Sequence, residues 1–198
     1  MALREILVIP DPRLREIAKP VKKIDQGIKT LVRDMFETMY DAPGIGLAAP
    51  QIGVMERVIV VDCAIRAKSE EGEEAEEEAT APEGDGESAQ NLPDPEPEPI
   101  AMINPQIIAF SDEFSVYEEG CLSIPEYYEE VERPKSCTVR YTDLDGNTVT
   151  RELEGLLSVC VQHEVDHLDG KLFIDYLSRL KRERVTKKFK KAARYAAH

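Results

Sequence analysis

Two of the three histidines in this 198-residue chain stand four positions apart, in the run His163-Glu164-Val165-Asp166-His167. On a helix that spacing is about one turn, so both imidazoles lie on one face and can reach a single metal ion. Glu164, beside the first of them, is placed to take a proton from a water held by that ion. Two helix histidines making ordinary hydrogen bonds would show the same spacing, but they would not need a carboxylate at this position. A catalytic metal site needs a third protein ligand. The long zinc-protease pattern puts Gly at 170 and His at 173; Gly170 is present, but position 173 is Phe173. The other protease solution, a Glu about twenty residues further on, would fall in what is a Lys/Arg-rich tail, and neither protease pattern fits. Cysteine remains. Cys121, in Glu119-Gly120-Cys121-Leu122-Ser123, ends a strand where Gly120 frees the backbone. A Cys/His/His set leaves the fourth coordination position open for water. Cys63 and Cys137 sit in apolar strand contexts and read as core, whereas Cys160, one turn before His163, reads as packing beside the site.

A third segment, Gly44-Ile45-Gly46-Leu47-Ala48-Ala49-Pro50-Gln51, alternates small and aliphatic residues. Such a pattern lets another backbone approach closely, and it lacks the G-x-G-x-x-G that would imply a phosphate. It ends in Gln51, whose amide can donate to a developing oxyanion.

These residues need elements to hold them. Ile24, Ile28, Leu31, Val32, Met35, Phe36 and Met39 recur at steps of three and four, which predicts an amphipathic helix closed by Pro43-Gly44. Arg57 to Cys63 reads as a short apolar strand and Ile100 to Asn104 as another, stopped by Pro105. Strands are also expected at Glu113 to Glu119, Tyr128 to Arg133 and Cys137 to Thr142. An Asp-Gly hairpin turn at 144–147 leads into a further strand at Thr148 to Leu153. A helix from about Gly155 to Leu168 carries Leu156, Val159, Cys160, His163 and His167 on one face, and a basic helix begins near Tyr176. The expected class is α+β: antiparallel or mixed β-sheets packed around a central metal-binding helix, with a C-terminal helix. Residues 1–198 read as one domain, interrupted at about 66–99 by a disordered acidic insert.

The formal net charge of −14 argues at first against a nucleic-acid partner. It is unevenly spread. Ser69 to Pro99 holds 13 acidic residues and no basic one, while the other 167 residues carry 25 basic and 26 acidic. The last 21 residues set nine cations, Arg179 to Arg194, against Glu183 alone. No apolar run approaches the roughly 20 residues of a membrane span, and MALREILVIP has charges where a signal peptide is apolar. The expectation is a cytoplasmic protein with reduced thiols, bound to neither membrane nor DNA.

Together, GIGLAAPQ, EGCLS and QHEVDH resemble the three signature motifs of the peptide deformylases, in order and at comparable separations. Pro10 to Arg15 (PDPRLR) resembles that family too. The resemblance covers nearly the whole chain apart from the insert, where family members usually have a short connection. It implies a hydrolase that removes formate from N-formylmethionine on newly made polypeptides. Cys121, His163 and His167 would hold a divalent metal, typically Fe²⁺, for which Zn²⁺, Ni²⁺ or Co²⁺ substitutes. Glu164 would deprotonate a metal-polarised water and later return the proton to the leaving amine. The Gln51 side chain and the Leu122 backbone N–H would stabilise the oxyanion. A peptide added as a strand would bond to backbone at Ile45, Gly46 and Gly120, and Leu156, Val159 and Cys160, with Ile45 opposite, would wall the methionine pocket. Asp166 would sit behind the ligands, paired with Arg133. In the family the terminal helix is associated with the ribosomal exit tunnel, so the basic tail reads either as a ribosome contact or as a solvated amphipathic helix.

Overall fold

The computed structural model of the chain describes residues 2–63 and 98–196. The acidic insert expected to be disordered lies, except for its last two residues, outside the described residues.

The apolar spacing near the N-terminus forms helix α1, Gln26–Asp41, which starts where the Asp25 carboxylate accepts from the N–H groups of Gly27 and Ile28 at 2.9 and 3.2 Å. Such a cap satisfies two of the four free donors at a helix start. Ile28, Leu31, Val32, Met35 and Met39 are its buried apolar residues. Strands β1 (Gly46–Ala48), β2 (Val58–Val61), β3 (Ile100–Phe110), β6 (Ser136–Thr142) and β7 (Thr148–Glu154) form one antiparallel sheet in the order β1-β2-β3-β6-β7. β4 (Phe114–Cys121) and β5 (Ile124–Pro134) form a separate antiparallel pair. Helix α2 spans Gly155–Leu168 and helix α3 Arg179–Ala196.

The sheet is covered on both faces, which explains why β2 is apolar at every position. Val58, Val60 and Leu47 meet α1, whereas Ile59, Val61 and Ala48 meet α2 through Val161, Val165 and Leu168. A third cluster joins Leu7, Ile9 and Leu14 to Ile124 and Val131 of β5, to Phe173, and to Val185 and Phe189 of α3. Helix α2 is therefore central, as expected. Its end turns at Gly170, with φ +70°, where a Cβ would stand 2.5 Å from the Arg15 carbonyl oxygen. The glycine shared with the zinc-protease pattern is thus explained by this turn.

Two strand boundaries differ from expectation by several residues: β5 begins at Ile124 rather than Tyr128, and β3 runs past its expected end. Pro105 does not stop β3, which continues to Phe110 past an irregularity of register between Ile103 and Gln106. Proline lacks a ladder donor and is tolerated in a sheet at such a bulge. Asn104 takes φ +52° there, and its side-chain amide accepts from Val21 N–H at 2.8 Å and donates to Val21 C=O at 2.9 Å. The hairpin turn at 144–147 forms as read, with Asp143 accepting from the N–H groups of Asp145 and Asn147. Val61 pairs with Ile100, so the segment between β2 and β3 leaves and re-enters at neighbouring positions. Closing a loop between adjacent ends costs little more as the loop lengthens.

Candidate metal centre and active site

Helix α2 buries His163 and His167 on one side, their rings edge to face with centroids 5.0 Å apart. Cys121 comes to them from the end of β4, where the pairing with β5 loses register between Glu119 and Cys121. Cys121 Sγ lies 3.2 Å from His167 Nε2, and the candidate ligand atoms of Cys121, His163 and His167 all fall within 4.8 Å of one another. Among the described residues this is the only such three-donor group of His, Cys, Asp or Glu.

The trio is tied into a network of buried charged groups. Glu119 accepts from His163 Nδ1 at 2.8 Å and from two nitrogens of Arg133. Burial disfavours the Glu119 carboxylate, but its bonds to His163 and Arg133 outweigh that and hold it below the usual carboxyl range. Burial likewise works against charge on His163, and the acceptors Cys121 and Glu119 overcome it, raising the imidazole well above its ordinary range. His167 is held neutral by burial and by the cationic groups around it. One thiol, one imidazole whose far nitrogen is tied to a carboxylate and one neutral imidazole are borderline and soft donors suited to a first-row dication. The residues present fit a divalent metal.

Behind the trio the expected Asp166–Arg133 pair is found, at 2.8 Å. Tyr176 completes the layer: its hydroxyl donates to Asp166 Oδ2 at 2.8 Å and its ring lies 4.6 Å from the Arg133 guanidinium. Sequence reasoning misses Glu119 and Tyr176. A signal exists for Glu119, since residues i and i+2 of a strand share a face and Glu119 precedes Cys121 by two.

Glu164 is buried, with Oε2 unpartnered among the described residues, and burial pushes its carboxyl up to about 7. Gly46 makes room for it. A Cβ at Gly46 would stand 2.5 Å from Glu164 Oε1 and 2.8 Å from Cys160 Sγ. The close approach expected of the glycine segment is therefore made by side chains of α2. Gln51 is oriented by Ala48, whose N–H donates to Oε1 at 2.8 Å, so Nε2 faces Cys121 Sγ at 3.5 Å and Ser123 Oγ at 3.2 Å.

These groups open onto one cleft of about 750 Å³. Cys121, His163, Glu164, Gln51, Leu122, Ile45, Gly46, Gly120, Leu156, Val159 and Cys160 all line it, whereas His167 lies behind the wall, 1% exposed. Of the other thiols, Cys137 is core, where burial raises it, and Cys63 is half-buried at the end of β2 against Cys160.

A profile of the polypeptide deformylases matches residues 3–183. The chain belongs to the peptide deformylase family. It is 55% identical over 196 residues to the peptide deformylase of Bradyrhizobium diazoefficiens, covering 99% of either chain, and 53% identical over 197 residues to that of Afipia carboxidovorans, covering 100% of this chain and 99% of that one. The crystal structure of the Legionella pneumophila deformylase superposes with a TM-score of 0.77 at 41% identity, over 100% of this chain and 99% of that one. That of Ehrlichia chaffeensis in complex with actinonin gives 0.78 at 37%, over 97% and 98%. The chain is thus an enzyme, a hydrolase of that family, and its α+β architecture is the family's. Among the described residues no helix is long and apolar enough to cross a membrane.

Proposed function

We propose that the enzyme removes the formyl group from N-formylmethionine at the start of newly made polypeptides, releasing formate, with Cys121, His163 and His167 holding one divalent metal. The observation that carries this reading is the buried Glu164 carboxylate, whose Oε2 has no partner among the described residues, beside a three-donor cluster at the cleft wall. When bound, the ion supplies Lewis acidity, which makes hydroxide available near neutral pH. Glu164 takes the proton of the attacking water and returns it to the leaving amine. Gln51, its oxygen tied down by Ala48, turns its amide N–H toward the reacting carbonyl, with Leu122 N–H as second donor. The peptide lies as an added strand along Ile45, Gly46 and Gly120, a mode that reads backbone and leaves sequence free. Leu156, Val159 and Cys160 receive the methionine side chain. In this reading the metal is Fe²⁺, replaceable by Zn²⁺, Ni²⁺ or Co²⁺, the place of work is the cytoplasm, and α3 turns Lys187, Lys190 and Lys191 toward ribosomal RNA.

The test is formate release from formyl-Met-Ala-Ser by protein purified without oxygen, together with its metal content. Release that is lost in Glu164→Gln while the metal stays bound supports the reading; metal without release rejects it. If the metal is Fe²⁺, aerobic incubation inactivates the purified enzyme faster than its nickel-loaded form, because iron and the Cys121 thiolate both oxidise. Equal decay counts against iron.

A further inference from the structure

We infer that Cys63 and Cys160 are an oxidative modification site: a hydroperoxide joins them in a reversible disulfide that ties the end of β2 to α2 and alters the wall offered to the methionine side chain. The bridge itself is independent of the deformylase reading. Its effect on substrate rests on that reading.

Successive residues of β2 point to opposite faces of the sheet. Val58 and Val60 turn to α1, whereas Ile59 and Val61 turn to α2. Two residues beyond Val61, Cys63 keeps to the α2 side and packs against the same apolar cluster that holds Cys160. Cys160 reaches this place from α2. Its Sγ–H donates to the Ile45 carbonyl at 3.5 Å, and the same carbonyl accepts from Asp62 N–H at 2.9 Å. One backbone oxygen thus links the residue before Cys63 to the sulfur of Cys160. The Cys63 thiol meets Cys160 there, and this contact together with burial pushes the Cys160 thiol well above its ordinary range.

The other two thiols are engaged elsewhere. Cys121 faces His167 and Gln51 in the trio, and Cys137 accepts from Ser158 Oγ at 3.5 Å in the core. Packing at position 63 would be served by any small apolar side chain; a bridge requires the thiol. Exposure sets the order of events. Cys160 is 5% exposed and lines the cleft, whereas Cys63 is half-buried and is not among the described residues that line it. A hydroperoxide therefore meets Cys63 first. The Cys63 thiolate attacks it, the O–O bond breaks, hydroxide leaves and Cys63 becomes a sulfenic acid. Cys160 sulfur then attacks the Cys63 sulfur, so that the S–O bond breaks, the S–S bond forms and the Cys160 proton leaves with the hydroxyl as water. The thiol pair has given two electrons to the peroxide, and a dithiol reductant returns them. In reducing compartments, disulfides are usually transient ones of this kind. Gly46 carries the consequence to the site, since the space a Cβ would take there is occupied by Cys160 Sγ and Glu164 Oε1 together. Drawing Cys160 Sγ toward Cys63 takes it from the Ile45 carbonyl and shifts the wall on which methionine would rest.

The experiment treats the nickel-loaded full chain with a few equivalents of hydrogen peroxide, blocks the remaining thiols and maps the peptides by mass without reduction. Most chains should carry a Cys63–Cys160 link that dithiothreitol removes, and KM for formyl-Met-Ala-Ser should rise severalfold and return on reduction. Cys63→Ser should keep the untreated activity and lose the reversible change. The mass map of the unaltered protein needs no variant. A sulfinic acid at Cys63 without a link, a link from Cys63 to Cys121, Cys137 or a second chain, or no link at all overturns the inference. A link that leaves KM unchanged overturns its effect on the methionine wall. Absence of formate release from the untreated enzyme overturns the deformylase reading, while the mass map still decides the bridge.

Discussion

Arg133 is 3% exposed and serves two carboxylates at once, Glu119 behind His163 and Asp166 between the two helix histidines. Its neighbours push its guanidinium further toward the charged form, against burial. Removing it leaves two buried carboxylates without their cation, which typically costs about 3–5 kcal/mol. Arg133→Met should therefore unfold at markedly lower urea and purify with little metal. Glu119→Gln is a gentler probe, since the amide still fills the site but no longer accepts His163 Nδ1–H as a carboxylate. Losing such a partner usually weakens metal affinity about 10- to 100-fold, measurable as faster loss of metal to a chelator. Tyr176→Phe keeps the ring over Arg133 and removes only the hydroxyl donated to Asp166, so a loss of about 1 kcal/mol is expected. If Glu119→Gln and Tyr176→Phe release metal at the same rate, the carboxylate is not what orients His163.

At the scale of elements, legibility in the sequence follows periodicity. Helix α2 runs between the residues its spacing marks, because both its faces are occupied, one by the core and one by the cleft. The sequence pattern makes β3 five residues long where it has eleven, because the rule that proline ends a strand ignores the tie between Asn104 and Val21 that accommodates the bulge. The site residues with motifs are legible for a similar reason: spacing of four on a helix is local. Tyr176 and Arg133 meet only through tertiary folding, and nothing local announces Tyr176. The tight approach of β1 to α2 also belongs to this scale. Gly46→Ala must push β1 from α2 or turn Glu164 aside, and a displacement near 1 Å of a catalytic group can cost about 100-fold in rate. The expected result is a kcat loss of that order with metal content retained; a normal kcat would show that Glu164 acts from another rotamer. Asp34 of α1 gives a pH-dependent case. Arg4 holds its carboxyl below the usual range, so the pair stabilises the fold above about pH 4, and that contribution disappears as pH falls through the lowered value. Urea midpoints of the unaltered protein and Arg4→Ala should differ at pH 6, and the difference should narrow progressively as the pH is taken below about 4.

Over the whole molecule, charge is divided between an acidic insert and a basic terminal helix. A net charge of −14 says little about either of them. The most direct probe of ribosome binding, ending the chain at Leu177, is ruled out by the core, because Val185 and Phe189 of α3 are buried against Leu7, Ile9, Leu14 and Phe173. Each such side chain contributes about 1.5–3 kcal/mol, so truncation would confuse impaired binding with impaired folding. The opposite side of α3 is separable. Lys187, Lys190 and Lys191 are exposed, and no ion pair among the described residues neutralises them, whereas Arg179 and Lys181 are already paired with Glu183 and Glu129. Lys187→Glu/Lys190→Glu/Lys191→Glu should keep its thermal midpoint and its formate release from a free peptide. Each RNA phosphate that the variant no longer neutralises should flatten the slope of log affinity against log salt by about 0.7 to 0.9. Co-sedimentation with ribosomes across a salt series reads that slope. An unchanged slope in the triple variant means that α3 is simply a solvated helix whose inner face closes the core.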